Sequence, residues 1–177
     1  MPSQTDVFNE YQDILALYLR LQSVVQSYLK LVVTERNRFD KTHQEQLARD
    51  VHEKHDIDFD SNFSSYVYHI QSIRRCRATI ARIDDSLFSM LNSFTDPFYN
   101  LMRKDTNVQP HCEATRNHAR KTILYLDAAM NDNKLFQVYK VFDYLRILVT
   151  YFNNWIFVLD QIINDFGPTY DELLGRQ

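Results

Sequence analysis

Along residues 135–166, apolar side chains recur at alternating steps of three and four: Leu135, Val138, Phe142, Leu145, Val149, Phe152, Ile156, Leu159, Ile163 and Phe166. That spacing keeps them on one face of an α-helix, whereas a strand repeats every second residue, and it predicts a helix about 48 Å long. A second row, Val141, Leu148, Trp155 and Ile162, widens the stripe, and Tyr144, Tyr151 and Val158 flank it. A helix apolar over so much of its circumference needs several neighbours to cover it, and those neighbours must also be long. The uncharged run inside it, residues 147–159, carries Asn153 and Asn154 at its middle. It is shorter than the roughly 20 apolar residues a bilayer requires, so it reads as a buried core helix and not a membrane span.

The N-terminal stretch repeats the pattern with Val7, Tyr11, Ile14, Tyr18, Leu21, Val25, Tyr28 and Val32, after capping residues between Ser3 and Asp6. Tyrosine is bulky for a tight two-stranded seam because each phenol needs a polar partner or water, so a bundle with hydroxyls at its rim suits these positions. Beyond Val33 the series thins to Phe39, His43, Leu47 and Val51, extending the helix to about Glu53 with a possible break near Asp40. An acidic connection over residues 56–62 follows. Next comes a long helix bearing Tyr66, Ile70, Ile73, Cys76, Ile80, Ile83, Leu87, Met90 and Phe94. Thr95-Asp96-Pro97 stops it and starts a short helix over residues 97–104. After a loop at 105–110, a helix over about 111–130 carries Ala119, Ile123, Leu126 and Met130, and residues 131–133 turn into the C-terminal helix. Gly167-Pro168 is expected to end that helix and leave a short flexible tail, residues 169–177.

Four long helices joined by short connections run up and down. The predicted fold is therefore all-α: one domain over residues 1–177, an elongated antiparallel bundle of about four long helices plus one short helix, with a buried C-terminal core helix. At 45% hydrophobic and 24% charged residues the chain has the make-up of a folded soluble domain.

Composition then narrows the chemistry. The two glycines, Gly167 and Gly175, both lie near the C-terminus. Phosphate-cradling loops, dinucleotide fingerprints and nucleophile elbows need glycine where backbone approaches a ligand or turns sharply, so those nucleotide-binding and hydrolase classes are excluded. The net charge of −3 argues against a protein whose main task is coating nucleic acid or an anionic membrane. Cys76 and Cys112 are too few for a disulfide framework and read as buried thiols. No basic leader followed by an apolar run marks a secretory signal, so the expectation is an intracellular, soluble (by default cytoplasmic) protein without a transmembrane segment.

Several clusters invite a site. His52 and His55 flank Glu53 but lie three apart, not the four of a zinc protease helix, and Asp56, Asp58 and Asp60 are followed by Ser61 where a calcium loop wants glycine. His111 and His118 share a face near Cys112 and Glu113, too few ligands for a closed site, so no metal and no cofactor is expected. Arg74, Arg75, Arg77 and Arg82 form one basic patch and Arg116, Arg120 and Lys121 another; these either bind nucleic acid or pair with acids of neighbouring helices.

Arg36-Asn37-Arg38-Phe39-Asp40-Lys41-Thr42-His43 resembles the Arg-x(4 to 6)-His motif of the HEPN superfamily of α-helical ribonucleases. The resemblance implies a metal-independent endoribonuclease in which Arg36 and His43 approach the scissile phosphate across paired subunits. Against this enzyme alternative and the nucleic-acid-binding one stands the leading expectation. It is a non-enzymatic helical interaction protein, an adaptor, assembly or regulatory subunit that binds itself or a partner protein through apolar helix faces. Tyr11, Tyr18, Val25 and Tyr28 are its candidate interface.

Overall fold

The chain enters its first helix through a reciprocal cap. Ser3 Oγ accepts from the Asp6 N–H at 3.1 Å, and Asp6 Oδ2 accepts from the Ser3 N–H at 3.2 Å. Two backbone donors that a helix start would leave bare are thereby satisfied. In a computed structural model, which describes residues 3–53, 63–92, 107–132 and 135–175, this helix, α1, runs unbroken over Gln4–Glu53. The break considered near Asp40 does not occur: no glycine or proline interrupts the backbone there, and Phe39 is anchored edge-on against Phe142 with centroids 5.1 Å apart. Three further helices follow: α2 Phe63–Asn92, α3 Gln109–Asp132 and α4 Leu135–Gly175. Among the described residues there is no strand. The short helix expected over residues 97–104 and the acidic connection at 56–62 lie outside the described residues.

Each helix touches two of the others: α1 packs on α4 and α2, and α3 packs on α4 and α2. Paired side chains fix the directions. Tyr11 meets Phe166 while Phe39 meets Phe142. Arg77 meets Asp127 while Asp84 meets Arg116. In each case position rises on one helix as it falls on the other, so neighbours are antiparallel and the four form an up-and-down bundle. At 50 and 41 residues, α1 and α4 are about 75 and 61 Å long, which makes the bundle elongated.

Position 110 shows how the sequence sets the start of α3. Val108, fully buried, plugs the end of the core, and its carbonyl accepts from the His111 and Cys112 N–H groups at 3.1 and 3.3 Å. Pro110 sits in this first turn, where its missing N–H leaves no bond unmade.

The apolar rows meet in one core. Leu21, Val25, Val32 and Phe39 of α1, Ile73, Ile80, Ile83 and Leu87 of α2, and Ala119 and Leu126 of α3 surround the interior with Val141, Leu145, Leu148, Phe152, Trp155 and Leu159 of α4. α4 is the most apolar contributor, as its pattern predicts, and the middle of its buried face falls between the two rows. Val141, Leu148 and Trp155 are as deeply buried as Leu145 and Phe152. Its opposite edge is open, with Ile147 and Phe157 exposed.

The C-terminal end departs from expectation. Gly167-Pro168 does not end α4, which continues to Gly175. Proline in a helix interior forfeits one backbone bond at a cost of about 3 kcal/mol, and tertiary contacts just before it offset that cost. Phe166 packs against the rings of Tyr11 and Tyr18 with centroids at 4.7 and 5.5 Å, and its carbonyl accepts from the Tyr11 hydroxyl at 3.1 Å. Gripped by α1, the end of the helix carries on through the proline.

Candidate functional site

The four residues expected to meet a partner are occupied at home. Val25 and Tyr18 are buried, Tyr28 packs against the core, and Tyr11 is engaged with Phe166. They face inward because the row that reads as a heptad stripe is the row that α4 covers. Of the four, Tyr18 and Val25 lie in the bundle core, while Tyr11 and Tyr28 are partly buried at its edge.

Arg36 is partly buried on α1 and donates to Asn37 Oδ1 at 3.2 Å. Its partner in the ribonuclease-like motif, His43, lies on the same helix with its side chain outside the described residues, as do the side chains of His52 and Glu53; His55 and Asp56 lie outside them altogether. Cys112 and His118 diverge. The thiol of Cys112 points to the Leu87 carbonyl on α2 at 3.8 Å, while the His118 ring faces α4. Both thiols are pushed up to about 12, chiefly by burial, with Glu35 adding to the effect at Cys76 and Glu113 at Cys112. At neutral pH they stay protonated and unreactive.

The arginine patches are divided between helix seams and solvent. Arg77 binds Asp127 of α3 through Nε, and through Nη2 at 3.4 Å, and this bond holds its guanidinium above the usual range. Arg82 turns toward α1 and donates to Thr79 Oγ1 at 3.5 Å. Arg74 and Arg75 are exposed. The four arginines of α2 thus do not present one surface.

Between α2 and α3 lies an open groove of about 650 Å³, lined among others by Arg77, Ala81, Asp84, Asn117, Arg120 and Leu124. A second hollow of about 610 Å³ shares Asn117 and extends it toward Phe88 and Gln109. At the junction, Arg116 Nε lies 3.1 Å from Asp84 Oδ1. Both atoms are buried, so the two charges meet out of solvent. Burial pushes the Asp84 carboxyl up, and Arg116 and Arg120 only partly oppose it. Arg116 also lies over the Phe88 ring at 4.6 Å, a cation–π contact that covers one face of an exposed aromatic. On the lip stands Leu124, 67% exposed. Arg120 and Lys121 are exposed beside it and, among the described residues, enter no ion pair. No known protein family, curated protein or solved structure matches this chain.

This groove was not singled out by sequence reasoning, although one signal for it is readable. Leu124 falls outside the Ala119, Ile123, Leu126, Met130 row and projects from the opposite side of α3. The pairing of Asp84 with Arg116, by contrast, depends on which helices are neighbours, and single-helix periodicity carries no such information.

The α3–α4 seam holds a buried histidine. His118, 7% exposed, stacks on Tyr144 and Tyr151 with centroids 4.7 and 5.1 Å away. Its Nε2 lies 3.0 Å from the Tyr144 carbonyl, which only accepts, so this nitrogen carries the proton. Burial holds the imidazole below its usual value of 6.5, and Lys121 reinforces this against the hydrogen bond to Tyr144. A group whose folded pKa is depressed in this way binds its proton more readily when unfolded. Its contribution to stability is thus complete above pH 6.5 and is lost as pH falls from there through the folded value. The urea midpoint is expected to fall between pH 7.5 and 5.5, and His118→Gln, which keeps a donor for the carbonyl, is expected to flatten that dependence. An unchanged slope in the variant would assign the loss to other groups.

Proposed function

We propose that this chain is a non-enzymatic helical interaction protein, an adaptor or assembly subunit, which docks a partner protein over the α2–α3 groove. The observation that carries the reading is Leu124. A leucine 67% exposed at the lip of a 650 Å³ groove, beside two cations without an ion pair among the described residues, has the make-up of an apolar anchor with a polar rim. Isolated exposed apolar residues are ordinary on any surface, and it is the conjunction with a groove that gives this one meaning. Arg120 and Lys121 favour a partner that brings carboxylates to the edge of the contact, since such pairs steer approach and fix register. The ion pairs within the groove, Arg77 with Asp127 and Arg116 with Asp84, hold α2 and α3 together beneath it.

A photo-crosslinking amino acid placed at Leu124 is expected to capture one protein partner, whose affinity is then measured with the purified pair. Burying most of a leucine side chain stabilises a contact by about 1.5 kcal/mol, so Leu124→Asp is expected to weaken binding by roughly tenfold or more. Charge reversal at Arg120 and Lys121 is expected to act mainly on the association rate and its salt dependence. A partner bound equally well by the Leu124→Asp variant would sink the proposal.

A further inference from the structure

The α1–α2 seam gathers positive charge. Over the stretches that face each other, residues 27–41 of α1 and 71–86 of α2, there are four carboxylates, and three of them are turned elsewhere. Asp84 meets Arg116 of α3, and Asp85 lines the α2–α3 groove. Asp40 stands about five full turns on from Gln22, which places it on the side of α1 that bonds to α4. The fourth, Glu35, is 5% exposed in the seam itself and accepts from the Thr79 hydroxyl at 3.1 Å. Arg38 reaches its Oε1 from α1 at 3.5 Å, and Arg82 donates to that same hydroxyl from α2 at 3.5 Å. Guanidinium groups from two helices thus converge on one buried carboxylate. Arg75, two turns from Arg82, and Lys41, one turn on from Arg38, are exposed on the same side. Among the described residues, this wall sets four cations against one carboxylate, in a chain whose net charge is −3. Between the helices lies a hollow of about 190 Å³ whose apolar lining is Tyr28, Leu31 and Ile83, with Arg82 at its side. Leu31 is 46% exposed at its edge.

From this we infer that the α1–α2 wall docks an acidic amphipathic helix of a second protein, at a place separate from the α2–α3 groove. The furrow between two packed antiparallel helices has the width that a third helix fills. Carboxylates on the incoming helix meet Arg38, Arg75 and Arg82, whose forked donors match carboxylate geometry, and one aliphatic side chain enters the hollow. Arg75 and Arg82 are seven residues apart, about 10.5 Å along the axis, so acids two turns apart on the incoming helix match both. The hollow decides between this occupant and a nucleic acid. A phosphate backbone satisfies guanidinium groups but leaves an apolar hollow empty, and a single strand binds by stacking its bases on exposed aromatic faces. Tyr28, the aromatic residue of the hollow, is half-buried and packed against the core. The wall and the groove lie on different sides of α2, so both can be occupied at once, and the chain then joins two proteins.

The test uses the full chain and a fluorescent peptide of about 18 residues, or five helical turns, with a leucine stripe flanked by glutamates. Fluorescence anisotropy is expected to show a dissociation constant of about 10–100 µM. Raising salt from about 50 to about 300 mM is expected to weaken it severalfold, because the contacts are charged. Arg75→Glu, at an exposed position, and Arg82→Gln, which keeps a donor for Thr79, are each expected to weaken binding by about threefold to tenfold with helix content and Tm unchanged. Leu31→Asp is expected to weaken it by about tenfold, since the apolar edge of the hollow is lost. Leu124→Asp is expected to leave it unchanged, which separates this wall from the partner-binding groove. Absence of binding at about 100 µM chain would overturn the inference. So would binding that is lost with Leu124→Asp and indifferent to Arg75→Glu and Arg82→Gln, or tighter binding of a single-stranded RNA of similar length at the same salt.

Discussion

Trp155→Ala is expected to cost about 3–5 kcal/mol, among the largest losses available to a single substitution in this chain. Trp155 is fully buried and lies against Phe152 with near-parallel rings 6.3 Å apart, in the middle of the α4 face that the other helices cover. Truncation removes the apolar area of the indole and leaves a cavity that α-helices packed on two sides cannot close. For a domain of this size the loss corresponds to a fall in Tm of roughly 10 °C or more. Trp155→Phe is the informative companion. Among the described residues the indole N–H has no hydrogen-bond partner, so phenylalanine discards an unsatisfied donor while keeping most of the ring, and its cost is expected to stay below about 1.5 kcal/mol. Chemical denaturation of both variants checks this. Equal destabilisation would mean that the N–H matters, or that the residue is less central than its burial says.

The second large effect is expected at the α1–α2 seam, where a carboxylate is buried. Glu35 is 5% exposed and accepts from the Thr79 hydroxyl at 3.1 Å, itself 5% exposed. Arg38, one turn on, reaches the same oxygen at 3.5 Å but is largely in water. Thr79→Val changes shape little and removes the buried donor, leaving the carboxylate, among the described residues, with a solvent-exposed arginine. The expected loss is about 1–3 kcal/mol. Glu35→Met in the same background should recover most of it, because a buried polar pair replaced on both sides by apolar groups is often neutral or better. The coupling between the two sites, measured by a double-mutant cycle, is expected to exceed about 0.5 kcal/mol. Additive losses would show that Thr79 and Glu35 act independently.

Both predictions mark how much was legible beforehand. The apolar rows of all four helices could be read directly from the spacing of residues such as Leu145, Phe152 and Leu159, since burying an apolar face is what makes those helices stable. The capping signal at Ser3 and Asp6 is equally local and equally visible. Local rules failed where a distant element decided the outcome. Gly167-Pro168 is a stop signal in isolation, and the grip of Tyr11 and Tyr18 on Phe166 overrides it. Tyr18 and Val25 have the look of an interface stripe, because a row awaiting a partner helix and a row already covered by a helix of the same chain have the same spacing. Glu35 carries no local mark of burial in the sequence, and the arrival of Thr79 from α2 makes its burial tolerable.

The ring of contacts has a bearing on biosynthesis. The first and last helices are direct neighbours, so the seam between them joins the parts of the described chain farthest apart in sequence. A nascent chain emerging from the ribosome can pair α1 with α2 and α2 with α3, and still leaves Leu21 and Val25 wet along one side until α4 is translated. Closure of that gap consequently waits for α4, the last of the four helices to emerge. During the interval the α1 stripe is a natural ligand for chaperones that bind exposed apolar segments.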